Sequence, residues 1–384
     1  MPGIVQILDS QTKQVVWQFS AGYHPDCVVF TPDGRYLILA NECEPGIQDR
    51  AGSVTLVDLL GVQSAFDMQG MNEIQTYGFR DRNLGEGVTL SDLRIPASLR
   101  STPWIGIEPE YLAPTNDGVW VSLQENNAIA YFDFECRKWT KIQPLNPLSY
   151  PFDADDKDGI HIQNHKGISL LPMPDTIAHT VIDERAYVLI ANEGEKDEHN
   201  SLRFEDAVTS GLLDPLVVHQ LQTSSNGSDQ LGRLWISTID GDIDHDGDID
   251  VPSALGARSV SLYDVLQDTV IWNSQEQHEV VSAMLWPDRF NEQDSRSDRA
   301  GPEPEGLAIG VIGDKTLAFV GLERSDAILM YDISIPSSPK LLHAVALNQG
   351  CSRPEGLLFF SIDERDYLAV ASEEGGCLSI YEIR

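Results

Sequence analysis

Apolar and polar residues alternate with a period of two along most of this chain, in short runs closed by clusters such as TPDG and DERD. That period predicts β-strands rather than helices, and the clusters predict tight turns. Five segments share one order: proline, an acid, an apolar strand, a turn, a second apolar strand, a polar residue and Glu. They run Pro25–Glu42, Pro109–Glu125, Pro174–Glu193, Pro304–Glu323 and Pro354–Glu373. The leading acid and the closing Glu are separated by 16, 15, 18, 18 and 18 residues. Each segment is followed by a further alternating strand ending in Asp or Glu, at 52–59, 127–134, 258–265, 326–333 and 377–384. Four of the five then continue into a plausible fourth strand, such as KWTKIQPL or TVIWNS.

Four-stranded antiparallel units repeated along a chain predict an all-β propeller of the YVTN or WD40-like kind, with about six to seven blades. An ordinary sandwich does not account for the same acid placement in every unit. Residues 1–384 are therefore expected to form one propeller domain. A long insertion, about 195–255, falls inside the third unit, with a short helix expected in LRFEDAVTSGLL. A second irregular stretch, HEVVSAMLWPDRFNEQDSRSDRAG, precedes the fourth unit, and loops of this kind on a rigid scaffold commonly carry function. At the N-terminus, IVQILDS and QVVWQFSA read as the third and fourth strands of a blade lacking its first two.

Composition narrows the partners. Against 26 Lys and Arg stand 60 Asp and Glu, a formal net charge of -34. Such a surface repels nucleic acid and anionic membrane and attracts cations. No apolar run is long enough to span a bilayer. The opening MPGIVQILDSQTKQ has neither the basic start nor the apolar stretch of an export signal, which leaves the cytoplasm open as a location. Of five cysteines, Cys27 with Cys43 or Cys351 with Cys377 are placed to pair across neighbouring strands, but unpaired buried thiols are the expectation. None forms a C-x-x-C zinc pattern.

The repeated acids have a geometric consequence. The Pro-acid pair starts one strand of a hairpin and the closing Glu ends the next, so the two lie side by side. Asp26 and Glu42, Glu110 and Glu125, Asp175 and Glu193, Glu305 and Glu323, Glu355 and Glu373 are expected to gather at one mouth of the propeller. Crowded carboxylates repel unless neutralised, and hard divalent cations with oxygen ligands, calcium first, are the natural counter-ions. Asn41, Gln124, Asn126 and Asn192 would add neutral oxygens. The competing account is that these acids merely cap turns. Near the same ends His24, Arg324 and Arg353, with Arg296, Arg299, His161 and His165 from loops, are candidates to hold an anion.

The strongest local motif is Asp242-Ile-Asp244-His-Asp246-Gly-Asp248-Ile-Asp250, with the D-x-D-x-D-G spacing of a calcium loop. Its twelfth position is Ser253 rather than Glu, and its flanks are not paired helices, so it reads as a structural calcium loop; a solvated acidic turn is the alternative. Asp153–Gly159, DADDKDG, is a weaker companion. No hydrolase elbow, zinc-protease helix, P-loop or dinucleotide fingerprint is present.

In order and wording, PDCVVFTPDGRYLILANECEPG, IEPEYLAPTNDGVWVSLQENNAIAYFD, LGRLWIST with DGDIDHDGDID, GPEPEGLAIG and GLERSDAILMYDI resemble the choice-of-anchor I family over nearly the whole chain. That family includes mesenchyme-specific cell surface glycoproteins and bacterial members labelled alkaline phosphatase-like. The resemblance implies a propeller, usually exported or attached to the cell surface. It supports two functions: a calcium-dependent module binding a ligand or cell-surface protein, or a calcium-dependent phosphoesterase similar to β-propeller phytases. In the second, Glu110, Glu305, Glu323 and Glu355 would hold metal, Arg324 and Arg353 would steady the phosphate of a phosphorylated small molecule, and Glu305, Arg324 and Arg353 are the catalytic candidates.

Overall fold

A computed structural model of the chain describes residues 2–43, 51–62, 74–196, 199–223 and 231–384. It divides into two compact units, Met1–Pro144 and Leu145–Arg384.

The first unit opens with a two-stranded antiparallel sheet, β1 (Pro2–Leu8) with β2 (Val15–Tyr23). Two four-stranded antiparallel sheets follow, each with its strands in chain order. One comprises β3 (Pro25–Phe30), β4 (Tyr36–Asn41), β5 (Ser53–Asp58) and β6 (Ile74–Gly78); the other β7 (Pro109–Pro114), β8 (Gly118–Leu123), β9 (Ala128–Asp133) and β10 (Lys138–Pro144). The inner strands β4, β5 and β8 are buried throughout because both sheet faces are covered. Their core joins Ile38, Leu56, Val121, Phe132 and Trp139.

The second unit repeats the pattern. β12 (Pro174–Ile182), β13 (Arg185–Asn192), β17 (Ser259–Asp264) and β18 (Thr269–Asn273) form one sheet, and β19 (Pro304–Ile312), β20 (Lys315–Leu322), β21 (Ala327–Asp332) and β22 (Lys340–Ala346) another. The last sheet has three strands, β23 (Ser352–Ile362), β24 (Arg365–Glu374) and β25 (Leu378–Ile383). Two of its hairpins, at β12–β13 and β23–β24, close through Asp-Glu pairs with positive φ (50° and 63° at Asp183 and Glu184, 50° and 60° at Asp363 and Glu364). Two left-handed residues match the twist of a two-residue hairpin. These serial antiparallel sheets are propeller blades, and the fold class is the β-propeller.

The insertion leaves after β13 and returns before β17. It carries β14 (Ser201–Arg203), α1 (Phe204–Ser210), α2 (Pro215–Thr223), β15 (Trp235–Ser237) and β16 (Ser253–Leu255). The last of these pairs in parallel with β11 (Ser169–Leu171), so the insertion builds a mixed four-stranded sheet of its own. That sheet is not a sixth copy of the repeat. The expected helix in LRFEDAVTSGLL is α1, ended by left-handed Gly211. The stretch before the fourth repeat forms α3 (Gln277–Leu285).

One expectation is corrected. Cys351 and Cys377 are joined in a disulfide, and Cys136 is an exposed free thiol. The two half-cystines precede β23 and β25, outer strands of the same sheet, and the turn before each brings their Cα atoms to 5.6 Å.

Candidate metal centre

In four of the five repeats the leading proline pairs with the residue just before the closing Glu, Pro25 with Asn41, Pro174 with Asn192, Pro304 with Leu322 and Pro354 with Ser372, and in the second Pro109 pairs with Leu123, two residues before Glu125. In all five the register shifts immediately after that proline, at the acid. A bulge at that point bends the strand and re-aims the side chain. Within their own hairpins Glu110 approaches Glu125 and Glu305 approaches Glu323, and Asp175 acts on Glu193.

In the second unit these pairs converge across blades. Glu193, Glu305 and Glu323 bring carboxylate oxygens within 4.8 Å of one another. Burial pushes Glu305 up to about 10 and Glu323 up to about 8, and neighbouring carboxylates push further: Asp175 on Glu305, Glu303 on Glu323. Glu193 is driven well above the ordinary range by burial first and by Asp175 second. Glu355 adds a further negative field at Glu305.

Backbone contact fixes Glu193. It leaves β13 next to left-handed Gly194, where a Cβ would meet the Gly256 Cα at 2.0 Å, and a Cβ on Gly256 would meet the Glu193 carbonyl at 2.4 Å. Only glycine permits this approach where the insertion departs and returns. Asn192 is fully buried, its Nδ2 bonded to Ser259 Oγ (3.0 Å) and Ser261 Oγ (2.8 Å), with Oδ1 left without a hydrogen-bond partner. Asn41 repeats this on Thr55 Oγ1 (3.0 Å). Asn126 differs from expectation: its Oδ1 accepts the Glu108 amide (3.2 Å), so that oxygen is already engaged.

The arginines proposed for an anion are held by carboxylates. Arg324 contacts Glu323 (Nη1–Oε1, 3.0 Å) and donates through Nε to Glu303. Arg353 reaches Glu292 (3.2 Å), Glu373 (3.3 Å) and Glu374 (3.1 Å). Arg296 bonds Glu292 (2.9 Å), and Arg299 lies 3.7 Å from Asp298. His161 pairs with Asp158 (2.9 Å), and burial lowers His165 to about 4, which keeps it neutral. Acids outnumber cations around these glutamates, so the local field favours a cation over an anion.

The loop that carries Glu292 and Glu303 rests on a buried ion pair that no spacing or motif in the chain signals. Arg258 and Glu279, both 1 % exposed, meet at 2.7 Å. Arg258 Nη2 also donates to the Ser297 (2.8 Å) and Arg299 (2.7 Å) carbonyls, and Asn291 Nδ2 donates to Glu279 (3.0 Å).

In the first unit Glu110 and Glu125 approach within 4.8 Å. Glu42 pairs with His24 Nδ1 at 2.7 Å, and Asp26 is exposed. Glu373 is drawn to Arg353 and exposed.

The Asp-rich loop forms a second centre. Asp242, Asp244 and Asp246 bring carboxylate oxygens within 4.8 Å, and Asp248, Asp250 and Asp214 do the same. Asp214 was missed by sequence reasoning, being distant from the motif; a parallel bridge between Leu213 and Ile249 brings it in. The turn is shaped by Gly247 (φ 103°), and Asp250 Oδ2 accepts the Ile243 amide at 2.7 Å. Asp242 Oδ1 and Asp248 Oδ1 are buried and have no hydrogen-bond partner. Ser253, at position twelve, is committed to β16 and bonds Ser169. The companion loop is differently engaged: Asp156 is bound by Arg233 and Lys157, and Asp153 accepts the His161 amide (2.7 Å).

This chain has known relatives. The family profile for the choice-of-anchor I domain matches residues 1–336. The chain belongs to the choice-of-anchor I family. This choice-of-anchor I chain is 28% identical over 222 residues to a mesenchyme-specific cell surface glycoprotein of Strongylocentrotus purpuratus, a match covering 47% of the chain and 28% of that protein. It is 36% identical over 117 residues to Gigasin-3a of Magallana gigas, covering 27% and 40% respectively. The chain thus spans well under half the length of either relative. Among solved structures it is similar to a functionally unknown protein of Desulfotomaculum acetoxidans DSM 771 (TM-score 0.41, 11% identity, 98% of this chain and 75% of that one). It is also similar to the Myceliophteria thermophila Cps50 (Swd1) β-propeller domain (TM-score 0.39, 11% identity, 100% and 91%). Among the described residues no helix is long and apolar enough to cross a membrane.

Proposed function

We propose that this choice-of-anchor I chain is a calcium-binding β-propeller of surface or secreted type, serving as a ligand- or protein-binding module. The observation that carries the reading is the convergence of Glu193, Glu305 and Glu323 from separate hairpins within 4.8 Å. Their mutual repulsion gives a divalent cation more to gain there than at an ordinary acidic surface. The Asp214 and Asp242–Asp250 loop is the second calcium position. The surface assignment draws on the name of the sea-urchin relative.

Calcium ions held this way would brace the ends of the blades and fix the loops that a partner reads. The phosphoesterase alternative lacks an observation in its favour, since Arg324 and Arg353 are taken up by Glu303, Glu292 and Glu373. The test is thermal unfolding of EDTA-stripped protein with and without calcium, beside a p-nitrophenyl phosphate assay on the same sample. The reading expects a calcium-dependent rise in melting temperature without turnover. Equal melting temperatures would sink it, and calcium-dependent turnover lost in Glu305→Gln would replace it with the enzyme.

A further inference from the structure

A second kind of site lies at the opposite strand ends, in the first unit. A cavity of about 430 Å³, open to solvent on one side, is lined by the turn before β4, the β7–β8 turn and the β9–β10 turn. These ends are the ones away from the Pro-acid positions of the same hairpins.

Two guanidiniums frame the cavity. Arg35 forks onto Asp58, Nε to Oδ1 at 3.4 Å and Nη2 to Oδ2 at 3.2 Å, and lies 4.8 Å from the Tyr36 ring centroid. Arg137 lies over the same ring at 5.6 Å and reaches Asp58 only at 3.8 Å, too far for a hydrogen bond. Its side chain is 32% exposed, yet none of its five N–H donors has an acceptor among the described residues. The guanidinium is held in place by charge and by the aromatic face rather than by hydrogen bonds. Tyr36 packs in turn on Phe134 at 4.7 Å, which makes the support rigid. Asp117, Asp133 and Glu135 supply the opposite sign around the same cavity.

We propose that this cavity binds a small zwitterion, an amino acid or short peptide, with its carboxylate on Arg137 and its ammonium on the Asp117 and Glu135 rim. A bare anion would meet the acids and a bare cation the two guanidiniums; a molecule carrying both charges satisfies each wall. The guanidinium fork suits a carboxylate geometrically as well as by charge. A volume near 430 Å³ lies within the range of small-molecule pockets.

The test is calorimetric titration of the full chain with glycylglycine, acetate and methylammonium. The expectation is saturable binding of the dipeptide, at least roughly tenfold tighter than either half-ligand, as expected when two charged contacts act together. Arg137→Met keeps an apolar stem over Tyr36 and is expected to abolish binding at an unchanged melting temperature. Paired Asp117→Asn and Glu135→Gln changes are expected to erase the preference for the dipeptide over acetate. No saturable binding of glycylglycine, acetate binding as tightly as the dipeptide, or full affinity in Arg137→Met would each overturn the proposal.

Discussion

Replacing Glu305 by Gln should stabilise the calcium-free protein while weakening its response to calcium. In the folded state Glu305 titrates at about 10 against an ordinary value of 4.5, chiefly because it is buried and secondly because Asp175 faces it. A carboxyl whose folded pKa is raised binds its proton more tightly folded than unfolded. Its stability contribution is therefore full below about pH 4.3 and declines as pH rises toward the folded value. At pH 7, holding that proton costs about 1.4 kcal/mol for each pH unit above the unfolded value, or roughly 3.5 kcal/mol. Coulomb's law gives the same scale: two unit charges at 4.8 Å, the limit within which the Glu193, Glu305 and Glu323 oxygens lie, repel by about 3.5 kcal/mol at an effective dielectric near 20. The amide carries neither the charge nor the proton. For cooperative unfolding of Leu145–Arg384, about 240 residues, this corresponds to a rise of about 7 °C. Scanning calorimetry in EDTA at pH 5, 7 and 9 measures it, and the gap between wild type and variant should widen with pH. Calcium should raise the wild type more than the variant. A variant that melts below wild type in EDTA at pH 9, with its calcium response intact, would refute the electrostatic account of this cluster.

The remaining predictions concern other parts of the fold. Removing the Cys351–Cys377 disulfide, which spans 26 residues, should destabilise the chain by about 3.5 kcal/mol through loop-closure entropy, read as a lower melting temperature in the double Cys→Ala variant. Arg258→Met should cost about 3–5 kcal/mol because Glu279 is left buried without its partner, and adding Glu279→Leu should recover much of the loss in urea denaturation. Asp214→Asn should weaken calcium binding at the Asp loop despite lying 28 residues before the start of the motif; unchanged affinity in a calorimetric titration would remove Asp214 from that site. Gly256→Ala should disturb the position of Glu193, since its Cβ would strike the Glu193 carbonyl, and should lower both melting temperature and calcium affinity.

The blades and the acid pairs were legible in the sequence for a physical reason. A hairpin is a local object: alternation fixes which face each residue takes, and antiparallel pairing sets Asp175 beside Glu193 and Glu305 beside Glu323 with no knowledge of the rest of the chain. The Asp242–Asp250 loop was legible for the same reason, since its acids lie on alternate residues of one turn. What escaped depends on segments brought together by tertiary packing. Asp214 joins the loop through a bridge at Leu213, and Arg258 meets Glu279 across 21 residues. The arginines were assigned to an anion because sequence shows a charge but not its partner; Glu303 and Glu292 lie on a loop with no repeat signature. The disulfide turned on where two turns place their cysteines, which strand periodicity does not encode.

The claim on which the account rests is met most directly by calorimetric titration of EDTA-stripped wild-type protein with calcium at pH 8, in two buffers of different ionisation enthalpy. The account predicts saturable binding accompanied by proton release, because carboxyls kept protonated by burial and by their neighbours must ionise to hold the ion. Absence of saturable binding, or binding with no proton release that is unaltered in Glu305→Gln, would contradict it.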